Sequence, residues 1–176
     1  MTMHDEARPA ARLTVLTGPS EAGRAAVIRL VRARSPWVRI PVMVTTRRRR
    51  DHEVDGVHYT FVDEAAYDRL IAEQGLLESA AIRHHRYGTP RRPVDAWLAA
   101  GEPVLLSIDP RGAELVTLAV PDARVVLLLA PHERVTAAGD GIAGAIINHA
   151  AGRAADELVG LLGSPFLTPA RPPRGG

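Results

Sequence analysis

A glycine-rich segment near the start of the chain has the spacing of a loop that binds phosphate. It reads Gly18-Pro19-Ser20-Glu21-Ala22-Gly23-Arg24-Ala25 and follows the apolar run Leu13 to Thr17. In a strand–loop–helix unit of this kind, backbone N–H groups and the helix N-terminus point at the anion. A plain strand-to-helix turn, with glycines for backbone freedom, is the alternative for this loop alone. The predicted phosphate-loop residues are Gly18, Ser20, Gly23 and Arg24.

Two positions of this loop lack groups that phosphoryl transfer uses. The pattern requires Lys, which reaches the β- and γ-phosphates, and then Ser or Thr, whose hydroxyl binds magnesium. The chain instead has Arg24, a bulky planar fork, and Ala25, which has no oxygen for a metal. Glu21 adds a carboxylate, and like charges about 4 Å apart oppose each other by roughly 1 to 4 kcal/mol. Arg24 and Ala25 are therefore degenerate positions, no catalytic residue or metal site is assigned, and ATP and Mg²⁺ are expected to bind weakly.

A second group of motifs extends over most of the remaining chain. In order, it comprises Thr45-Thr46-Arg47, Arg50, Glu53-Val54-Asp55-Gly56, Tyr59-Thr60-Phe61, Leu76-Leu77-Glu78, Tyr87-Gly88-Thr89-Pro90, Ile108-Asp109 with Gly112, and Pro121-Asp122-Ala123. In order and spacing these motifs resemble the guanylate kinase family, and Gly18-Pro19-Ser20 fits the phosphate loop of that family. The resemblance covers about residues 12–131.

The resemblance implies that these residues hold GMP. Arg47 and Arg50 can direct forked, charge-assisted hydrogen bonds at one phosphate, and two tyrosine hydroxyls can add donors. The Glu78 carboxylate can accept from guanine N1–H and the 2-amino group, and the Thr89 hydroxyl can donate to O6, a pattern that adenine does not match. Asp109, at the end of a predicted strand, is expected to be a further polar contact. The predicted GMP site comprises Arg47, Arg50, Tyr59, Glu78, Tyr87, Thr89 and Asp109.

Beyond Pro131 the chain departs from the family. The family continues with a helix, an arginine-bearing lid over the triphosphate and another helix before its last strand. Here Ile146-Ile147-Asn148-His149 resembles that last strand, and the intervening His132 to Ala145 has Arg134 as its only cation. We therefore expect a missing or truncated lid. The lysine position, the magnesium-binding hydroxyl and the lid are all altered. We therefore expect kinase activity at least about 10⁴-fold below that of a normal family member.

Composition excludes several other functions. All 22 basic residues are arginine and nearly match the 20 acidic residues, so the net charge of +2 is no nucleic-acid footprint. The absence of cysteine excludes disulfides and zinc–thiolate sites. The longest purely apolar run, Val125 to Ala130, is far shorter than the roughly 20 residues that cross a bilayer, and Asp5 and Glu6 replace the basic start of a signal peptide. We expect a cytoplasmic protein without nucleic-acid or membrane partners; a protein partner is left open.

Apolar runs alternate with segments of helical periodicity, which predicts an α/β fold: a P-loop kinase-like parallel sheet flanked by helices, with a small GMP-binding lobe. The predicted strands are Leu13 to Thr17, Ile40 to Thr46, Val57 to Phe61, Leu76 to Arg83, Val104 to Ile108, Arg124 to Leu129 and Ile146 to His149. The predicted helices are Arg24 to Ala33, Asp63 to Gly75, Pro93 to Gly101, Pro110 to Ala119 and Ala150 to Gly163. The predicted domains are a flexible leader (1–11), a guanylate kinase-like domain (12–163, lobe at about 40–88) and a Pro/Gly-rich disordered tail (164–176).

The leading interpretation is a pseudokinase that binds GMP or a related guanine nucleotide and transfers phosphate poorly or not at all. Three alternatives stay open. One is an active guanylate kinase, converting ATP and GMP to ADP and GDP, with Arg24 acting for lysine and a lid from a partner subunit. A second is an interaction module that holds a phosphorylated side chain in the Arg47, Arg50, Tyr59 and Tyr87 cluster. The third is a different enzyme that uses GMP, for which the sequence offers no nucleophile.

Overall fold

Two four-stranded sheets contain all eight strands of the computed structural model, which describes residues 13–134 and 142–163. The elements follow in chain order: β1 (Leu13–Thr17), α1 (Glu21–Arg34), β2 (Val44–Thr45), β3 (Thr60–Phe61), α2 (Glu64–Ala72), β4 (Leu76–Ile82), β5 (His85–Pro90), α3 (Arg91–Ala99), β6 (Val104–Ser107), α4 (Pro110–Ala119), β7 (Arg124–Leu129), β8 (Ile142–Ile147) and α5 (Ala151–Gly163). The leader and tail expected from the sequence lie outside the described residues. No helix within the described ranges has the length and apolar content that a bilayer span requires.

The first sheet is parallel throughout, with the strand order β6-β1-β7-β8. Val15 of β1 packs in one core cluster with Val116 of α4, whereas Leu16 lies on the opposite face with Leu158 of α5. Burial on both faces explains why these strands are continuous apolar runs rather than alternating ones. The expected α/β fold with a parallel sheet flanked by helices is confirmed, and the strand ends meet at the edge where ligands bind in such sheets.

The connection between β7 and β8 is short for the expected family. It runs over residues 130–141, of which 135–141 lie outside the described residues. On either side, up to Arg134 and from Ile142 onward, the described residues form no helix before β8. Parallel neighbours need a connection of about a dozen residues. The truncated lid expected from the sequence is therefore compatible with this connection.

The second sheet has the order β3-β2-β5-β4 and mixes parallel and antiparallel pairs. The hairpin of β4 and β5 places Glu78 directly opposite Thr89, after a register shift between Leu76 and Glu78. Behind the sheet, the fully buried Tyr67 of α2 forms a 2.8 Å hydrogen bond with Ser79 Oγ. The sheet thus places strand residues of the predicted GMP site at adjacent positions.

The predicted strand from Ile40 to Thr46 is wrong as a single element. Arg39 pairs with Val104 at the edge of the first sheet, whereas Val44–Thr45 form β2 in the second. Pro41, which has no N–H for a ladder hydrogen bond, lies between the two pairings. The chain therefore passes from one sheet to the other where the sequence suggested one continuous strand.

Several other predicted boundaries are also corrected. Helix α1 begins at Glu21 rather than Arg24, because the Ser20 hydroxyl accepts from the Gly23 N–H as an N-cap. The predicted strand from Val57 shortens to β3, the predicted Val104 to Ile108 strand ends at Ser107, and helix α3 begins at Arg91 rather than Pro93. Strand β8 begins before its predicted start and ends before Asn148. Strand β5 was not predicted as a strand at all.

Candidate functional site

The phosphate loop is shaped by close contact with β7. Gly18 has a φ of 146°, a region that favours glycine, and a Cβ at this position would lie 2.2 Å from the carbonyl oxygen of Leu128. The loop ends at Ser20, which caps α1, so the first turn of a 14-residue helix points at the end of β1. Gly23 lies beneath this cap, and a Cβ there would be 3.4 Å from the Asn148 amide nitrogen. The predicted loop residues therefore lie together at the strand ends.

Arg24 is directed at the loop itself. Its side chain is buried, and its Nη1 donates to the carbonyl oxygen of Gly18. Its Nε is buried without a hydrogen-bond partner among the described residues. Burial lowers the pKa of Arg24, and the carboxylates of Glu21 and Asp109 partly oppose that shift. The positive charge is thus already engaged by groups of the protein.

The position after Arg24 lacks the side-chain hydroxyl that binds magnesium in phosphate loops of this pattern. Ala25 is exposed and offers no oxygen. The nearby carboxylates, Glu21 and Asp109, act on the Arg24 guanidinium, and magnesium prefers several oxygen ligands in an octahedral arrangement. Across residues 13–134 and 142–163, no three His, Asp or Glu side chains group closely enough to hold a metal ion.

On the second sheet, Arg47 is held by Glu53. Arg47 Nη1 and Nη2 donate to the two Glu53 carboxylate oxygens at 3.0 and 2.7 Å, and Nη1 also donates to the Arg48 carbonyl oxygen at 2.9 Å. Glu53 accepts a further bond of 2.8 Å from the Arg50 N–H. These bonds lower the pKa of Glu53 from 4.5 to about 2, with Arg47 the largest cause. Glu53 therefore fixes the orientation of Arg47 and the turn that carries Arg50.

Two tyrosines complete this basic cluster. The rings of Tyr59 and Tyr87 meet edge to face with centroids 6.0 Å apart, and the Arg47 guanidinium lies 5.4 Å from the Tyr59 centroid. Burial raises the pKa of Tyr59, so its phenol stays a protonated donor at neutral pH. Arg50 is exposed, and its guanidinium donates to no residue in the described part of the chain. The structure thus brings together the side chains of Arg47, Tyr59 and Tyr87, with Arg50 beside them.

The predicted base-reading residues form a separate buried group. Glu78 is 6% exposed and Thr89 is fully buried, and the Thr89 hydroxyl donates to Glu78 Oε1 at 2.7 Å. The same hydroxyl oxygen lies 3.2 Å from the sulfur of Met43. Burial is the main cause that raises the pKa of Glu78, and Asp109 adds to it. In this structure Thr89 therefore donates to Glu78, whereas the sequence suggested a donor to guanine O6.

The N-terminus of α4 packs against the buried Glu78 and Thr89 pair. Asp109 accepts from the Gly112 N–H at 2.9 Å and is the N-cap of α4. A Cβ at Gly112 would lie 3.3 Å from Glu78 Oε2, so a larger residue here would require the carboxylate to move by a few tenths of an ångström. Asp109 thus stands beside Glu78, and part of its hydrogen-bonding capacity is used by the helix.

Charges connect the two halves of the site. Glu21 of the phosphate loop acts on the pKa of Tyr59 as well as on Arg24. Asp109 acts on both Arg24 and Glu78. The phosphate loop, the Arg–Tyr cluster and the buried Glu78 group therefore lie close enough for their charges to interact.

Three residues of this site were not assigned a role from the sequence. Glu53 holds Arg47, Met43 covers the Thr89 hydroxyl, and Asn148 approaches Gly23 of the phosphate loop. The position of Glu53 within the Glu-Val-Asp-Gly motif was a signal for it, whereas nothing in the sequence marks Met43. A cavity of about 400 Å³ lies elsewhere, between Val44, Val62 and Leu70, and none of the predicted site residues lines it.

Comparisons with known proteins agree with the resemblance. The family model described as guanylate kinase matches residues 10–141. The guanylate kinase of Thermobifida fusca is 54% identical over 120 residues, which cover 68% of this chain and 61% of that protein. The guanylate kinase of Streptomyces coelicolor is 50% identical over 126 residues, covering 72% and 63%. The chain therefore spans less than two thirds of the length of these relatives.

A solved structure supports the fold. The crystal structure of guanylate kinase from Anaplasma phagocytophilum matches with a TM-score of 0.73 over 88% of this chain and 86% of that one. The identity between the two is 23%. This likeness concerns the fold, namely the parallel sheet and its flanking helices.

Proposed function

The chain belongs to the guanylate kinase family, and from that premise we propose that it binds GMP or a closely related guanine nucleotide while transferring phosphate to it slowly or not at all. The observation that carries the proposal is a difference between the acceptor side of the site, where GMP would bind, and the donor side, where ATP would bind. The acceptor side keeps an organised set of phosphate and base contacts, whereas on the donor side the Arg24 guanidinium donates to the Gly18 carbonyl and Ala25 has no hydroxyl.

The acceptor side suits a nucleoside monophosphate. Arg47 is oriented by two bonds to Glu53, which leaves the rest of its guanidinium for a phosphate oxygen. Arg50 and the phenols of Tyr59 and Tyr87 supply further donors around the same position. A cluster of arginine guanidinium groups and neutral tyrosine hydroxyls suits the dianionic phosphate of a nucleoside monophosphate. Its neighbour Glu78 is the acceptor that a guanine edge with two adjacent donors requires.

The donor side lacks the groups that stabilise phosphoryl transfer. That reaction depends on positioning and on positive charge around the γ-phosphate, supplied by a lysine, magnesium and arginines. Here the buried guanidinium of Arg24 donates to the Gly18 carbonyl and interacts with Glu21 and Asp109, and Ala25 supplies no side-chain oxygen. Glu21 also places a negative charge where a triphosphate would bind. These features support weak binding of ATP.

An active guanylate kinase is the second candidate. It is favoured by the relatives described as guanylate kinases at 54% and 50% identity, and Arg24 retains a positive charge at the position of the lysine. This candidate requires the Arg24 guanidinium to leave the Gly18 carbonyl when ATP binds, and a lid residue from outside the described part of the chain.

Calorimetric titration of the full chain tests the proposal. We expect GMP to bind, AMP to bind at least about 100-fold more weakly because its edge is mismatched to a buried carboxylate, and Mg-ATP to bind weakly. The matched variants are Arg50→Met and Arg48→Met, two exposed neighbours of which only Arg50 is assigned to the phosphate. Arg50→Met should lower GMP affinity by about 10-fold or more, whereas Arg48→Met should not. Equal affinity for GMP and AMP, or tight binding of Mg-ATP alone, would contradict the proposal.

A further inference from the structure

We infer that Arg86 is a positioning residue for the phosphate-binding part of the site, where it holds Tyr87 and Arg47 in place from the opposite face of the second sheet. The inference rests on the proposed function, because it concerns the phosphate contacts of the proposed GMP site. No role was assigned to Arg86 from the sequence. Its side chain would not touch the nucleotide, so it would act only through its neighbours.

The side chain of Arg86 binds one face of α2. Its Nη1 donates to Asp68 Oδ1 at 2.7 Å, and its Nη2 donates to the Glu64 carbonyl oxygen at 3.1 Å and pairs with Glu64 Oε2 at 2.6 Å. The guanidinium carbon lies 4.4 Å from the centroid of the Tyr67 ring, within the range of a cation–π contact. Residues three and four apart lie on the same face of a helix. A single guanidinium therefore contacts three side chains that share one face of α2.

The charges on α2 require this cation. Glu64 and Asp68 are four residues apart, a spacing at which like charges repel each other. Arg86 pairs with both carboxylates, and its side chain is 28% exposed whereas theirs are 62% and 69% exposed. A single exposed ion pair adds little to stability, but a planar fork bound at two corners and stacked on a ring has a defined orientation. Arg86 thus fixes α2 against β5.

The backbone of Arg86 binds the segment that leads into Arg47. The Arg86 N–H donates to Thr46 Oγ1 at 3.0 Å, and the Arg86 carbonyl oxygen accepts from the Thr46 N–H at 3.1 Å and from Thr45 Oγ1 at 3.0 Å. Thr45 Oγ1 in turn accepts from the Arg47 N–H at 3.2 Å. Strand β2 has only two residues, so these bonds extend its pairing with β5 as far as Arg47. Two successive hydrogen bonds therefore connect the Arg86 carbonyl to the Arg47 backbone.

Tyr87 depends on Arg86 because the two are successive residues of β5. Successive side chains of a strand point to opposite faces of the sheet. Arg86 accordingly contacts α2, whereas the Tyr87 ring meets Tyr59 on the other face. A shift of β5 away from α2 would displace Tyr87 and Arg47 together. Side chains that are already ordered before a ligand binds avoid the cost of ordering them, which raises affinity.

The test is a double-mutant cycle measured as GMP affinity by calorimetry on the full chain. Arg86→Met removes the guanidinium and keeps a long side chain, and Tyr87→Phe removes one phosphate donor. We expect each variant to lose affinity by about 10-fold. The double variant should lose roughly 20-fold rather than the roughly 100-fold of independent effects, because a hydroxyl that is no longer held in place contributes less.

The matched control is Arg34→Met. Arg34 joins two other elements, α1 and α5, by similar bonds to the Asp156 carboxylate at 2.9 Å and the Gly152 carbonyl at 3.3 Å. Its replacement should leave GMP affinity and the effect of Tyr87→Phe unchanged. If Arg86→Met does not fold, Glu64→Gln combined with Asp68→Asn replaces it in the cycle, and the same coupling to Tyr87→Phe is expected.

Two results would overturn the inference. One is an unchanged GMP affinity in Arg86→Met. The other is losses that simply multiply in the double variant, because a purely structural role of Arg86 would weaken binding independently of the Tyr87 hydroxyl.

A second readout needs no ligand. Amide hydrogen exchange is compared between wild type and Arg86→Met at Thr46 and Arg47, whose N–H groups donate to the Arg86 carbonyl and to Thr45 Oγ1. We expect exchange at both amides to be at least about 10-fold faster in the variant. If the wild type fails to bind GMP, the proposed function fails, and this measurement alone decides the role of Arg86. Unchanged exchange at the two amides would then overturn it.

Discussion

Replacing Glu78 with glutamine should stabilise the free protein and weaken GMP binding at the same time. Burial and Asp109 raise the pKa of Glu78, so the native state holds its proton more tightly than the unfolded chain does. The sign follows from linkage: stability from this group is fully present below its unfolded pKa and is lost as the pH rises through the raised folded pKa. At neutral pH a neutral amide therefore removes a cost that the carboxylate imposes, while Thr89 keeps an oxygen to donate to.

The loss of affinity follows from the hydrogen bonds to the base. In the proposed complex the carboxylate accepts from two donors, and a hydrogen bond to a charged group contributes about 1.5 to 3 kcal/mol. Glutamine keeps at most one acceptor and turns an N–H toward the other donor. Losing at least one such bond and leaving a buried donor unpaired corresponds to roughly 100-fold or more in affinity for GMP. Affinity for AMP should change much less, so the preference for GMP over AMP should be largely lost.

Urea denaturation between about pH 4 and 8 and calorimetry with GMP and AMP measure the two effects on the same preparations. The control is Glu114→Gln, an exposed carboxylate on α4 for which neither effect is expected. The reasoning is refuted if Glu78→Gln is less stable than wild type at neutral pH. It is also refuted if GMP binds the variant as tightly as it binds the wild type.

Four further predictions concern the other parts of the site. Glu53→Gln should lower GMP affinity by about 10-fold, because it releases Arg47 from the carboxylate that orients it. The preference for GMP over AMP should stay the same in titrations, because the base pocket is unchanged. The control is Glu102→Gln, which breaks an exposed ion pair. The pKa of Glu53 is lowered to about 2, so the stability that Glu53 contributes should be present above pH 4.5 and be lost only as the pH falls toward 2. An acid unfolding curve in which this contribution disappears near neutral pH would contradict the prediction. Gly18→Ala should destabilise the fold by more than about 2 kcal/mol in urea, because its Cβ would meet the Leu128 carbonyl; an unchanged midpoint would show that the loop can move away. Chelation of divalent cations should leave the GMP titration unchanged, and a loss of binding would point to a metal in the acceptor site.

The fold was predictable where one physical signal dominates. Strands β1 and β7 are apolar runs buried on both faces, and their bounds match the predictions. Helix α4 also matches its predicted bounds, Pro110 to Ala119, and begins with a proline at its first position. Strand β5 escaped prediction because His85–Pro90 is mostly polar and has no alternation, and its strand character comes from pairing with β4.

For the candidate site, the sequence predicted a set of residues but not the hydrogen-bond partners that those residues have in the structure. Motif spacing identified Arg47, Glu78 and Thr89, and the structure brings these residues into the same region. Spacing could not show that Glu53 holds Arg47 or that the Thr89 hydroxyl donates to a carboxylate. Such contacts depend on the register of two strands and on the direction of a side chain, and these arise only once the second sheet has formed.

The rate of GDP formation by the full chain, at saturating GMP and Mg-ATP, tests the central claim most directly. Kinases with a complete donor side turn over at about 1 to 100 per second. Arg24 and Ala25 in the phosphate loop, together with the truncated lid that we propose, predict a rate at least about 10⁴-fold lower, in a protein that we expect to bind GMP. Turnover within the ordinary range of the family would contradict that claim.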